Sequence, residues 1–228
     1  MTKIGVILSG CGVFDGTEIH EAVAVLLALA RAGVQYRCLA PDIQQMHVVN
    51  HFTGEVNSEE YRNVLHESAR IARGDVVSLG NVAATEFDGY VFPGGFGAAK
   101  NLSNFAIAGG NCEINEQVSR LVREAHAKRI PMAFLCISPV IAGRLLAGNG
   151  VQVTIGDDDE AVAAFDVMGA THVLCQACEM VRDEENLVIS SPAYMKADNI
   201  AEVFDDITLS VNALLEMVRQ HQSVSSDA

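Results

Sequence analysis

The chain has 228 residues, with 15 Lys+Arg against 29 Asp+Glu for a formal net charge of −14, and half of its residues are hydrophobic while only 19% are charged. Such a composition excludes the disordered and fibrous classes, and the length suffices to bury a full core. The acidity excludes a non-specific nucleic-acid binder, which needs a cationic face to displace counterions, so no nucleic acid is expected as a partner.

Met1-Thr2-Lys3 leads into an apolar stretch from Ile4 that Ser9-Gly10-Cys11-Gly12 breaks at once. It is too short for the core of a signal peptide and lacks a small-residue cleavage site. No run approaches the ~18 apolar residues of a membrane span, so no membrane association is expected. The six cysteines (Cys11, Cys38, Cys112, Cys136, Cys175 and Cys178) are scattered and read as reduced thiols. Together these features predict a cytoplasmic location.

In chain order, Lys3–Ser9 is predicted as the first strand. The first helix runs from about Glu18 to Arg31 and is stopped by Gly33. Gln35–Ala40 forms a second strand, ending at Pro41-Asp42, and Ile43–Asn57 reads as an irregular or hairpin insertion. Ser58 to about Ala72 is predicted as a helix, with Ser58 as N-cap and Glu59 and Glu60 in its first turn. Asp88–Phe92 is a strand that stops at Pro93-Gly94-Gly95, and Glu113–Lys128 is an amphipathic helix. Ile130–Leu135 is an almost continuously apolar strand, as expected when both faces are covered, and helix Ser138–Ala147 follows directly. Val151–Ile155, His172–Cys175 and Leu187–Ser190 are later strands, and Asp198–Gln220 is a long terminal helix. The tail, Ser223–Ala228, has no apolar cluster and is expected to be disordered. Strands alternating with helices predict one α/β domain over residues 1–222 with an insertion at 43–57. Its fold is a doubly wound, mostly parallel sheet sandwiched by helices, which binds ligands beyond the C-terminal strand ends.

Three strand ends therefore matter most. Cys136 lies between a buried strand and a helix beginning Ser138-Pro139, where free N–H groups and the positive end of the helix dipole favour a thiolate. This is the arrangement of a nucleophile elbow with Cys in place of Ser, although the flanking glycines are absent. The alternative is a small buried residue packing a strand end. Pro93-Gly94-Gly95-Phe96-Gly97 ends the neighbouring strand, as an ordinary tight turn or as a loop whose N–H groups receive developing negative charge. The first loop, Ser9 to Thr17, spaces Gly10, Gly12 and Gly16 one residue wider than a dinucleotide fingerprint, with Asp42 where a ribose-binding acid would stand, and Val13 and Phe14 occupy the pyrophosphate's place.

Glu18 and Glu21 fall in the first turns of the first helix, where acids usually complement the dipole. Glu21 lies deeper and is the one expected to face inward, where burial and a neighbouring thiolate would raise its pKa. His172-x-x-Cys175-x-x-Cys178 offers three soft ligands where a closed zinc site wants four, so no metal is assigned. The acidic run Asp157-Asp158-Asp159-Glu160 reads as a solvated helix start.

The segments Ile7-Leu8-Ser9-Gly10-Cys11-Gly12-Val13 with Asp15-Gly16-Thr17-Glu18-Ile19-His20-Glu21, Pro93 through Leu102, Phe134-Leu135-Cys136-Ile137-Ser138-Pro139 and Ser191-Pro192-Ala193-Tyr194-Met195 carry a resemblance to a known family. Over about Lys3 to Val218 the chain resembles the ThiJ/PfpI superfamily, the class I glutamine amidotransferase-like fold (a flavodoxin-like sheet). Within it the chain is similar to the ElbB-type proteins, described as glyoxalase-like and linked by name to isoprenoid biosynthesis. The resemblance implies a reactive Cys136 with Glu21 as its carboxyl partner and Gly94 and Gly95 lining the pocket. It also implies that the N–H groups of Gly95 and Ile137 face an oxyanion, that no cofactor is used, and that the protein is a homodimer. Glu18 is the alternative carboxyl, and His20 and Asn101 are candidates for support. Only His172 and His221 follow Cys136, and neither has Glu two residues on as the glutamine-hydrolysing members do, so glutamine hydrolysis is not expected.

The expected function is a cofactor-free, glyoxalase-like conversion of a small-molecule dicarbonyl, glyoxal to glycolate, through Cys136. The rival is a non-enzymatic redox or stress sensor, or an accessory protein linked to isoprenoid biosynthesis. A simple hydrolase is disfavoured by the missing base histidine.

Overall fold

The computed structural model describes residues 1–226, with side chains to Gln222. Its elements are β1 (Lys3–Ile7), α1 (Ile19–Arg31), β2 (Gln35–Ala40), α2 (Val64–Ile71), β3 (Val76–Ser78), β4 (Gly89–Phe92), α3 (Phe96–Lys100), α4 (Phe105–Ala108), α5 (Glu116–Ala127), β5 (Met132–Leu135), α6 (Pro139–Leu146), β6 (Gln152–Val153), α7 (Asp159–Met168), β7 (Thr171–His172), β8 (Val181–Asp183), β9 (Val188–Ser191) and α8 (Ile200–Ser226). Seven strands form one sheet in the order β3-β2-β1-β4-β5-β9-β8, parallel throughout except for the antiparallel β8–β9 edge. The chain winds from β1 outward to β3, then returns to the other side of β1 with β4. The β1/β4 boundary is thus the switch point at which doubly wound sheets hold ligands.

Alternating side chains feed two cores. Tyr90, Phe92, Met132 and Phe134 point into one, with Leu121 of α5, Ile141 of α6 and Phe165 of α7. Val91, Ala133 and Leu135 point into the other, with Val25 and Leu29 of α1 and Val211 and Leu214 of α8. Among the described residues no helix is long and apolar enough to cross a membrane.

The doubly wound sandwich forms as read from the sequence, and several boundaries change. The expected helix from Ser58 begins only at Val64, because Asn63 supplies the cap, its side chain accepting the His66 N–H, while 57–61 is an exposed turn. Of Val151–Ile155 only Gln152 and Val153 pair, and of His172–Cys175 only His172, joined by Thr171 just before it; they form a separate parallel ribbon, β6 with β7. Strands β3 and β8 were missed; both are three-residue edge strands, too short for a period to register. The terminal helix is described to Ser226, which includes the first residues of the expected tail; residues 227 and 228 lie outside the described residues.

Candidate active site

The ends of β1, β4, β5 and β9 converge. Cys136 directly follows β5 and adopts φ 58°, the left-handed region that a non-glycine residue enters at a cost of order 1 kcal/mol. Two contacts hold that turn. The Cys136 N–H donates to the Ser191 carbonyl at the end of β9 (3.0 Å). The fully buried Ser138 hydroxyl accepts the Leu135 N–H (2.8 Å) and donates to the Phe92 carbonyl (2.7 Å), joining β5 to β4 beneath the elbow. The turn thereby aims the sulfur at the N–H groups of Gly95 and Ile137, which both hydrogen-bond it. Gly95 itself has φ 92°, and a Cβ there would meet the Glu18 nitrogen at 2.3 Å, so only glycine lets this N–H approach the sulfur.

The two glutamates divide their roles. Glu18 is the N-cap of α1, its carboxylate accepting the Glu21 N–H (2.7 Å), while its own N–H donates to the Gly94 carbonyl (3.0 Å). Glu21 is fully buried; its Oε2 accepts the Gly94 N–H (2.7 Å), its Oε1 lies 3.4 Å from the Tyr194 N–H, and the carboxyl hydrogen-bonds the Cys136 thiol. Burial first, and the charge of Glu18 second, push the Glu21 carboxyl up to about 8. Burial and the facing Glu21 likewise push the Cys136 thiol well up, outweighing the two N–H donors that pull it down. The strand-to-helix geometry alone points to a ready thiolate; the buried carboxyl reverses that expectation, and near neutral pH the pair holds its protons.

The sulfur lines a cavity of about 510 Å³. Val13, Phe96, Ala99, Phe105, Ala161, Ala164 and Met195 give it an apolar wall, and Tyr194, Asp158 and Glu160 contribute its polar groups. His20 does not line it; its Nδ1 is 2.7 Å from the Tyr194 hydroxyl and the side chain is half exposed. Asn101 is buried away from the sulfur, its amide donating to the Ser9 and Asp15 carbonyls (2.8 Å each) and accepting the Met46 N–H (2.9 Å). The insertion 43–57 contributes nothing to the cavity wall. It is fastened to the first loop instead, where buried Asp15 accepts the Val49 N–H (2.7 Å) and His51 accepts the Phe14 N–H.

Gly10 and Gly16 of that loop pack against each other's backbone, and Asp42 accepts from the Asn63 amide, which accounts for the fingerprint-like spacing without a nucleotide. His172 stacks on Phe165, and no group of three metal-ligating side chains forms with Cys175 and Cys178 among the described residues.

Sequence reading missed Asp206. This wholly buried residue of α8 accepts the Ala193 N–H (3.3 Å) and the Cys178 N–H (3.2 Å) through Oδ2. Its Oδ1 is otherwise unpartnered, and the adjoining Ser191 hydroxyl is placed to supply a bond. Ala193 has φ 44°, and the turn it begins carries the Tyr194 N–H to Glu21, so Asp206 braces one side of the site. The signal for it is a lone acid on an otherwise apolar helix stripe, between Val203 and Ile207.

No protein-family model matches the chain. Several curated proteins do, and two of them are each 42% identical over 224 residues and 94% of this chain. These two are the mitochondrial ES1 protein homolog of Rattus norvegicus, of which 84% is covered, and the mitochondrial glutamine amidotransferase-like class 1 domain-containing protein 3 of Homo sapiens, of which 83% is covered. Among solved structures, an isoprenoid biosynthesis protein with amidotransferase-like domain from Ehrlichia chaffeensis superposes with TM-score 0.89 at 39% identity, covering 95% of this chain and 99% of its own. A DJ-1 superfamily protein from Salmonella typhimurium shares the fold, with TM-score 0.55 at 22% identity over 99% of this chain and 98% of its own. The mitochondrial relatives overturn the cytoplasmic expectation. That expectation rested partly on unpaired cysteines, which report only a reducing environment and do not tell the cytoplasm from an organelle interior. On fold, topology and identity along nearly its whole length, this chain belongs to the ES1 family of glutamine amidotransferase-like class 1 domain proteins, within the DJ-1/ThiJ/PfpI fold.

Proposed function

We propose that the protein is a cofactor-free, glyoxalase-type enzyme in which Cys136 adds to a small dicarbonyl and Glu21 moves the protons. One observation carries this reading: the Cys136 thiol lines a cavity together with Gly95 and Ile137, whose N–H groups face the sulfur, and it is backed by the buried Glu21 carboxyl, whose pKa is raised to about 8. In the minor fraction of molecules in which Glu21 is ionised near neutral pH, a fraction that grows as pH approaches 8, Glu21 takes the thiol proton as the sulfur attacks an aldehyde carbon of glyoxal. The new alkoxide is held by the Gly95 and Ile137 N–H groups until the carboxyl returns that proton to it, giving a hemithioacetal. Glu21 then removes the hydrogen from the sulfur-bearing carbon and returns it to the neighbouring carbon, while the hydroxyl proton passes to the second oxygen. The sulfur-bearing carbon is oxidised to a thioester and its neighbour reduced to an alcohol, so no external redox partner is needed. Water cleaves the thioester, releasing glycolate and restoring the thiol.

Conversion of carbon-13-labelled glyoxal followed by NMR tests this: labelled glycolate is expected from the native protein and none above background from Cys136→Ala. Full turnover by that variant overturns the mechanism. A second reading, a redox sensor, is favoured by the same carboxyl, which when protonated can donate to an oxygen placed on the sulfur. It predicts stoichiometric oxidation confined to Cys136 without turnover. The Ehrlichia relative's name, an isoprenoid biosynthesis protein, fits an accessory role of that kind.

A further inference from the structure

A cavity of about 510 Å³ is far larger than glyoxal fills and falls within the roughly 300–1,000 Å³ of sites that enclose drug-sized ligands. Beyond the sulfur its wall is apolar, with Ala99, Ala161 and Ala164 buried and Phe105 beside them. The carboxyl side chains on it are those of Asp158 and Glu160, both exposed at the start of α7, and among the described residues no Lys, Arg or His lines it. The nearby lysines are engaged: Lys100 donates to the Phe14 carbonyl (2.8 Å) and Lys196 pairs with Asp157 (2.6 Å). The Gly95 and Ile137 N–H groups at the sulfur can meet one developing oxyanion, but no cationic side chain on the wall balances a further carboxylate or phosphate, and two carboxylates at its edge repel one.

From this charge and volume we infer that the substrate reaching Cys136 is an uncharged carbonyl compound bearing an apolar substituent, and that Asp158 and Glu160 exclude carboxylated and phosphorylated analogues. The inference rests on the proposed chemistry for the word carbonyl; the cavity's preference for neutral, apolar ligands stands apart from it.

Stoichiometric alkylation of Cys136, followed by peptide mass spectrometry on the full chain, separates the two. Each probe is normalised to its rate with N-acetylcysteinamide. Iodoacetate is expected to lag iodoacetamide by about tenfold, as two unit charges several ångströms away impose at an intermediate dielectric. N-hexylmaleimide is expected to outpace N-ethylmaleimide by about tenfold, since even partial burial of four extra methylenes contributes that much. The paired substitutions Asp158→Asn and Glu160→Gln are expected to bring iodoacetate to within about threefold of iodoacetamide by removing both charges. Ala161→Trp is expected to slow the long maleimide more than the short one. Equal normalised rates across the native series overturn the inference, as does a Cys136 that reacts with none of the probes. A clear preference without any dicarbonyl turnover leaves the inference standing and removes the enzyme reading.

Discussion

Gly94 and Cys136 lie so close across the ends of β4 and β5 that a Cβ on Gly94 would stand 2.4 Å from the Cys136 Cβ, and 2.9 Å from both its sulfur and Oε2 of Glu21. The missing side chain therefore sets the distance between thiol and carboxyl. Gly94→Ala must push one of them away, at a cost of about 1–3 kcal/mol for overpacking a filled core. Thermal unfolding is expected to show that loss, together with altered Cys136 alkylation. Native melting and native alkylation in the variant would show that the contact is slack.

Burial of Glu21 also makes stability depend on pH. Its carboxyl titrates at 4.5 when exposed and at about 8 in the folded protein. Between those values the folded state keeps a proton that the unfolded state has released. The contribution is fully favourable below the lower value and fades as pH rises through the upper one, by up to about 5 kcal/mol. Urea unfolding from pH 5 to 9 should show native stability falling over this range. Glu21→Gln, which is always neutral, should flatten that fall. An unchanged slope in the variant would assign the titration elsewhere.

The same pair fixes the behaviour of the thiol. Burial and Glu21 raise its proton affinity, so the midpoint of Cys136 alkylation is expected above the ~8.5 of a free thiol rather than below it. Glu21→Gln removes the facing charge and is expected to move the midpoint down, because desolvation alone then opposes the Gly95 and Ile137 donors. Site-resolved alkylation from pH 6 to 11 checks both signs. A native midpoint below that of a free thiol would mean the N–H donors and the helix start dominate after all.

Much of this arrangement is legible in the sequence because it is local. Alternating apolar strands and helices with short connections determine a doubly wound sheet, and the junction of Leu135 with Ser138-Pro139 marks the elbow without reference to any distant residue. The depth of Glu21 in α1 follows from its place at the edge of an apolar run. The affinity of Cys136 for its proton does not follow from its neighbours in the chain, because its main electrostatic partner is 115 positions away and the dielectric there is set by both cores at once. The insertion 43–57 reads from its own residues only as an irregular or hairpin segment. Its anchor is the Asp15 carboxyl, and nothing in its own composition shows that it lies on the first loop.

Asp206 gives the sharpest test of such long-range bracing. It touches neither the sulfur nor Glu21; its bond from the Ala193 N–H holds the turn that carries Tyr194 to Glu21, and its bond from the Cys178 N–H ties in the segment before β8. Asp206→Ala leaves two N–H groups facing a void, at about 1–3 kcal/mol for each buried donor left unsatisfied, whereas Asp206→Asn keeps an acceptor oxygen for them. Urea unfolding should therefore show a large loss in the alanine variant and a small one in the asparagine variant. If the brace also holds the site, the alanine variant should shift the Cys136 alkylation midpoint under conditions where it remains folded, and the asparagine variant should restore it. Loss of stability with an unmoved midpoint would confine Asp206 to holding α8 against β9.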